Sequence, residues 1–121
     1  MTLVDTSVWI DHFRGAPASR GLAELLEAGE VVIHPFVRGE IALGHLGRRR
    51  AQVLRDLTLL PCVALVPDDD VLHMVEARRL AGSGIGWVDA HLLASALHAG
   101  GVLWTHDDRL SRVVSRLGIA G

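Results

Sequence analysis

Short apolar runs of strand length, alternating with helical periodicities, leave this 121-residue chain few ways to fold. Thr2 to Asp5, Val31-Val32-Ile33, Val63-Ala64-Leu65-Val66 and Val102 to Thr105 are too short for helices and read as buried strands. Between them the spacing predicts helices. One runs through Trp9, Ile10 and Phe13 and ends near Gly15; another carries Leu22, Leu25 and Leu26, with Gly29 as its C-cap. Pro35 suits the first turn of a helix reaching about Gly44, and Val53, Leu54, Leu57 and Leu60 mark a helix stopped by Pro61. Asp68-Asp69-Asp70 introduces a helix to about Ala81, the loop Gly82-Ser83-Gly84 leads to a helix over 87–99, and the last helix covers roughly 108–116. Strands alternating with helices predict a parallel sheet covered on both faces, within one compact domain spanning 1–121. Sites in such sheets lie beyond the carboxyl ends of the strands, where Asp5 and Asp107 fall.

Those two are part of a set of carboxylates in apolar surroundings. Asp5 ends Leu3-Val4, and Glu40 interrupts the run from Pro35 to Gly44. Asp89 opens Val88-Asp89-Ala90-His91-Leu92-Leu93-Ala94, and Asp107 follows Val102-Leu103-Trp104-Thr105. A fold that converges all four holds charges that cannot all stay ionised without a cation between them. An all-oxygen set suits Mg²⁺ or Mn²⁺, which points to metal-assisted phosphodiester chemistry. Each acid also has a plain structural use. Asp5, Thr6 and Ser7 are all able to cap the next helix, and Asp107 and Asp108 are both helix-start residues. Asp89 in a first turn favours the helix dipole. Glu40 shares its stripe with Phe36, Val37, Leu43 and Gly44 and is therefore expected to be partly buried, which is costly for an unpaired charge.

Composition removes several function classes. Half the residues are hydrophobic and the net charge is −2, a globular balance that excludes a broadly basic nucleic-acid binder; any nucleic-acid surface must be local. All 12 basic residues are arginines, and Arg48-Arg49-Arg50 is either a phosphate contact or a solvated run. No apolar run approaches the roughly 20 residues of a membrane span, no signal peptide is recognisable, and the single Cys62 cannot form an internal disulfide. A cytoplasmic protein without a membrane partner is expected. The histidines lack zinc-type spacing, no P-loop is present, and Trp9, Trp87 and Trp104 are expected to pack the core around the site. His91 and His98 are expected to be surface or half-buried residues rather than ligands. A receiver-like signalling domain also clusters acids at strand ends, but needs a lysine that this chain does not have.

The four motifs, in order, resemble those of the PIN-domain ribonucleases, in particular the VapC-type toxins of bacterial toxin–antitoxin pairs. Val4-Asp5-Thr6-Ser7-Val8-Trp9-Ile10-Asp11 is similar to the family's opening strand and helix, and Val37-Arg38-Gly39-Glu40-Ile41 to its glutamate helix. Trp87-Val88-Asp89-Ala90-His91-Leu92-Leu93-Ala94-Ser95-Ala96 is similar to its third acidic segment, and Leu103-Trp104-Thr105-His106-Asp107-Asp108-Arg109-Leu110 to its closing T-x-D-x-x-[FL] pattern. The resemblance spans residues 2 to 119. It implies a PIN-like three-layer α/β/α sandwich with a short central parallel sheet. It implies that Asp5, Glu40, Asp89 and Asp107 are the catalytic, metal-holding residues around Mg²⁺, for which Mn²⁺ can substitute, with Thr6, Ser7 and Thr105 orienting water or metal. Asp108 either shares the role of Asp107 or does not. An RNA substrate, a small cognate antitoxin and a homodimer are implied as partners. The alternative is a catalytically silent PIN-like domain that binds a partner only.

Overall fold

The structure, a computed structural model, describes every residue from Met1 to Gly121. Three short strands, β1 (Thr2–Val4), β2 (Val31–Val32) and β3 (Val102–Trp104), form a parallel sheet in the order β2-β1-β3. Thr2 pairs with Val31 on one side and Val102 on the other, so β1 is central. Leu3 and Val4 are fully buried, as expected for a strand covered on both faces, and each contributes roughly 1.5–3 kcal/mol by leaving water. Because the chain goes to β2 on one side of β1 and to β3 on the other, the sheet's switch point lies between β1 and β3, the place where sites form in such folds.

Seven helices complete the α/β/α arrangement: α1 (Thr6–Phe13), α2 (Leu22–Glu27), α3 (Pro35–Leu43), α4 (Arg50–Thr58), α5 (Asp68–Ala77), α6 (Trp87–Ala99) and α7 (Asp108–Arg116). Helix α1 packs on α3 and α3 on α4, while α6 packs on α5 and on β3. The most buried helix is α6, in which every residue from Ala90 to Ala96 is inside. Leu92, Leu93 and Ala96 face the main core with Leu3, Leu103 and Leu110, and Ala90 and Ala94 meet Val71 of α5. A helix buried on two sides has no polar face, which is why its sequence reads apolar nearly throughout.

Two expectations need correction. Val63 to Val66 is not a strand: only Cys62 bridges to Ile33, with the Val63 amide donating to the Ile33 carbonyl at 3.0 Å. The Ala64 carbonyl is taken by the Ser95 hydroxyl of α6 at 2.9 Å, and Leu65 turns out to solvent, so no ladder extends past the first pair. Helix α5 ends at Ala77, short of Ala81, because Arg79 adopts a left-handed conformation and the Leu80 amide bonds back to the Val75 carbonyl at 2.9 Å. Asp68, Asp69 and Asp70 are its first turn, the position that suits acids at a helix start. At the opposite sheet edge, Ala120 bridges to Leu103, so the carboxyl terminus flanks β3.

Candidate active site

The site is built where β1 and β3 end side by side. The Asp5 amide donates to the Trp104 carbonyl at 2.9 Å, which continues the ladder to the residues just past both strands. Asp5 occupies the N-cap position of α1, yet its side chain caps nothing. Its Oδ2 instead accepts from Ser7 Oγ at 2.7 Å and from Thr105 Oγ1 at 2.8 Å. The carboxylate is 7% exposed. A buried carboxylate that forgoes the helix start and is oriented by two hydroxyls is held for something other than capping. Ser7 Oγ also accepts from the His106 amide, and Thr105 Oγ1 from the Asp107 amide, each at 3.0 Å. Thus two hydroxyls fix the loop after β3 against the start of α1.

The other acids arrive from three helices. Asp107 is the N-cap of α7, with Oδ1 accepting from the Leu110 amide at 2.9 Å; Asp108 is the first helical residue and makes no hydrogen bond through its side chain. Glu40 of α3 takes the Thr6 hydroxyl on Oε1 at 2.8 Å. Asp89 of α6 takes the Gly86 amide on Oδ2 at 3.0 Å. The Asp89 carboxyl is held above the usual range, first by burial, against the lowering effect of the Gly86 amide, and then by the negative charges of Asp5, Asp107 and Glu40. Asp89 therefore senses the charges of the other three carboxylates across the cleft.

The expected degree of burial holds for only part of the set. Asp5 is buried and Asp89 half-buried, but Glu40 and Asp107 are exposed. On α3 the inward stripe is Val37 and Ile41, and Glu40 lies beside it facing the cleft, next to Phe36 and Leu43, which are also exposed. Glu40 borders an adjoining cavity of about 390 Å³ lined with Ile10, Phe13, Arg14, Leu46 and Val53. Trp87 departs from expectation too. Trp9 is buried and Trp104 packs against the core, but Trp87 is 45% exposed and sits edge-on to His91 at 4.8 Å.

The donor set is all oxygen and fits a hard divalent cation. Each of the four carboxylates spends one oxygen on a protein hydrogen bond, leaving Asp5 Oδ1, Glu40 Oε2, Asp89 Oδ1 and Asp107 Oδ2 without a protein partner. They stand around the cleft rather than touching a common point: no three His, Cys, Asp or Glu side chains converge closely enough to hold an ion in this arrangement. The residues fit the group in the chemistry of their donors, each of the four offering one oxygen without a protein partner.

One tie at the site and two buried histidines near it in the fold had not been anticipated. Asp11 Oδ2 meets His106 Nδ1 at 2.5 Å, tying α1 to the loop after β3 a second time. A signal was present, since Asp11 lies four residues after Ser7 and so shares its helical face. His34, buried at the start of α3, accepts the Phe36 amide on Nδ1 at 3.0 Å and is the helix's cap. His91 is buried rather than near the surface, while His98 is exposed. Asp68 Oδ1 lies 3.1 Å from His91 Nε2, but out of hydrogen-bonding alignment, so both His91 nitrogens remain unpartnered.

A short parallel sheet between helices, with carboxylates gathered at its switch point, defines a class of α/β proteins with an anionic site. A family profile described as the PIN domain matches residues 2–115, and the chain belongs to the PIN-domain family. It is 47% identical over 121 residues to a protein named Ribonuclease VapC32 from Mycobacterium tuberculosis, covering 99% of this chain and 95% of that one. Two solved structures share the fold. A toxin–antitoxin complex from Klebsiella pneumoniae has a TM-score of 0.65 at 24% identity, covering 88% of this chain and 87% of that one. PAE2754 from Pyrobaculum aerophilum has 0.63 at 18%, covering 97% and 94%.

Proposed function

We propose that the whole chain, residues 1–121, is one PIN domain acting as a metal-dependent endoribonuclease, the toxin of a type II toxin–antitoxin pair. The observation that carries this is Asp5, a buried carboxylate at a helix cap that bonds two hydroxyls instead of the helix and whose charge reaches Asp89. The 47% identity to Ribonuclease VapC32 supports the same reading. Asp5, Glu40, Asp89 and Asp107 are the catalytic and metal-holding residues of this reading, with Mg²⁺ the cofactor and Mn²⁺ able to substitute. When bound, the cation neutralises charge on the scissile phosphate and lowers the pKa of the attacking water.

The chain's own groups do the rest. Ser7 and Thr105 hold Asp5 Oδ2, so that Asp5 Oδ1 is presented to the cleft in one orientation. Thr6 does the same for Glu40. Asp89 or Asp107 accepts the proton of the attacking water. The water's oxygen forms the new bond to phosphorus as the bond to the leaving ribose oxygen breaks, and that oxygen takes a proton from solvent water. The exposed apolar side chains Leu43, Leu65, Leu72 and Trp87 supply surface for an antitoxin and for a second copy of the chain. No helix is long and apolar enough to cross a membrane, consistent with a cytoplasmic toxin.

The test is incubation of the purified chain with single-stranded RNA in Mg²⁺, in Mn²⁺ and in a chelator. Cleavage in either ion, absent in the chelator and in Asp5→Asn, is the expected result. Absence of cleavage by folded protein in both ions overturns the nuclease reading and leaves a domain that only binds a partner.

A further inference from the structure

None of the 12 arginines forms a salt bridge; the amino terminus pairs with Glu30, and the other two close contacts join a histidine to an aspartate. Three of these arginines, Arg109, Arg112 and Arg116, are spaced i, i+3 and i+7 along α7 and line one groove of about 190 Å³ with Ser83. All three are exposed, as are Arg78 and Arg79, which lie beside Arg116 at the end of α5. Five cations thus stand together on a chain whose net charge is −2. Cations gathered with no salt-bridging carboxylate raise the potential locally and suit a polyanion.

The groove begins at the site. Arg109 is two residues after Asp107, and its side chain lies flat over Gly84, where an added Cβ would come within 2.9 Å of Arg109 Cδ. The same loop supplies the Gly86 amide that holds Asp89. From there the cations run about 10 Å along α7, at 1.5 Å per residue. Arg116 spends Nη2 on the carbonyls of Arg78 and Arg79, at 3.2 and 3.4 Å, which fixes the guanidinium in place and leaves its other donors free. Arg112 makes no hydrogen bond and keeps its whole fork for a ligand.

We infer that this arginine track on α7 binds the phosphates of single-stranded RNA on one side of the scissile bond. The inference rests on the nuclease reading. An anionic cleft repels RNA, so affinity has to come from cations outside it, and a track starting beside Asp107 carries the strand without adding positive charge between the carboxylates. Contacts of this kind add affinity without reading sequence.

The experiment is fluorescence anisotropy of a labelled 20-nucleotide RNA in the uncut Asp5→Asn background, titrated with salt. Wild-type cleavage is assayed in parallel. Arg112→Gln should lower the magnitude of the log–log salt slope by about 0.7, and Arg112→Gln with Arg116→Gln by about 1.4, across unrelated sequences. Arg55→Gln on α4 removes the same charge away from the track and serves as control. Arg112, having no protein hydrogen bond, tests the inference even if the Arg116 change disturbs α5. Slopes equal to the control, with wild type still cutting RNA, overturn the track and leave the nuclease reading intact. Wild type that neither binds nor cuts RNA overturns both. Loss of polyglutamate binding in the track variants, with RNA binding unchanged, overturns the RNA assignment in favour of an acidic protein.

Discussion

The contrast between Asp107 and Asp108 shows what one side chain decides at this site. Asp107 caps α7, and Asp89 senses its charge, whereas Asp108 adds only to the helix dipole. Asp107→Asn should therefore reduce RNA cleavage by about 10²-fold or more, and Asp108→Asn by little, in initial-rate assays of folded protein. Equal loss in both would place the two acids in a shared role. Asp89→Asn should abolish cleavage yet raise the melting temperature in chelator. The amide oxygen still accepts the Gly86 amide, and the repulsion from Asp5, Asp107 and Glu40 disappears. An unchanged or lower melting temperature would show that repulsion there costs the fold nothing. His34 gives a pH prediction. Burial, and then the neighbouring His91, lowers its pKa from 6.5 to about 4, so the folded state holds it neutral while the unfolded chain binds a proton. Stability from this group is complete above pH 6.5 and falls as pH drops towards 4, by about 3 kcal/mol at most. His34→Asn keeps a capping side chain and removes the titration, so its melting temperature should fall less steeply between pH 7 and 4.5. Parallel curves would overturn the assignment. Asp5 illustrates what the sequence left open, because cap and site residue share one position, and only the hydroxyls of Ser7 and Thr105, the latter 100 residues away, decide between them.

At the scale of elements, the legible parts were those that bury a continuous face. The strands β1, β2 and β3 and helices α6 and α7 lie where their apolar patterns put them. The run from Val63 to Val66 did not become a strand, although like β2 it is wholly apolar. Its one ladder pair is at Cys62, and a side chain from α6 takes the carbonyl that a neighbouring strand would need. Sequence pattern reports burial, and the competing hydrogen bond is a tertiary fact. The same limit applies to Glu40, placed in the set for a burial it does not have; its exposure follows from an inward stripe of only Val37 and Ile41 on α3. The arginine run 48–50 is neither of its two expected readings in full. Arg50 binds the Ala42 and Gly44 carbonyls at the end of α3, and Arg49 the Phe13 carbonyl at the end of α1, both at 2.7 Å in the shorter bond. The loop between β3 and α7 depends on its ties to α1. Asp11→Ala removes the His106 tie while Ser7 and Thr105 remain. It should weaken Mn²⁺ binding about tenfold, in line with loss of an outer hydrogen bond at a metal site, with the helical circular dichroism unchanged. Asp11→Asn, which still accepts a hydrogen bond, should recover part of the loss. Calorimetry giving the same affinity in all three proteins would mean that the Ser7 and Thr105 ties suffice.

At the scale of the whole molecule, an acidic cluster lies at the start of α7 and a basic one along it towards its end. Four carboxylates gather at the switch point between β1 and β3, five arginines lie along α7 and the end of α5, and the cavity beside Glu40, lined by apolar side chains and by Arg14 and Arg49, lies between α1, α3 and α4. An anionic cleft next to a cavity with apolar walls on one part of its lining suits a partner segment that combines hydrophobic side chains with one Arg or Lys. Such a cation would pair with the carboxylates and exclude both the metal and the scissile phosphate. The pair gains from the low local dielectric, although desolvation offsets part of that gain. A segment disordered when free loses several kcal/mol on ordering, so it needs a large wrapped surface, which the exposed Leu43, Leu65, Leu72 and Trp87 help provide. Expressed alone, the chain should arrest bacterial growth, and co-expression of its antitoxin should restore it. Arrest should be absent in Asp5→Asn, because that change lowers the charge of the site at its most buried carboxylate while keeping side-chain shape. Growth curves after induction, with soluble protein measured in each strain, make the test. Normal growth with abundant soluble wild type would overturn the toxin reading, and arrest that persists in Asp5→Asn would mean that the toxicity does not come from cleavage at this site.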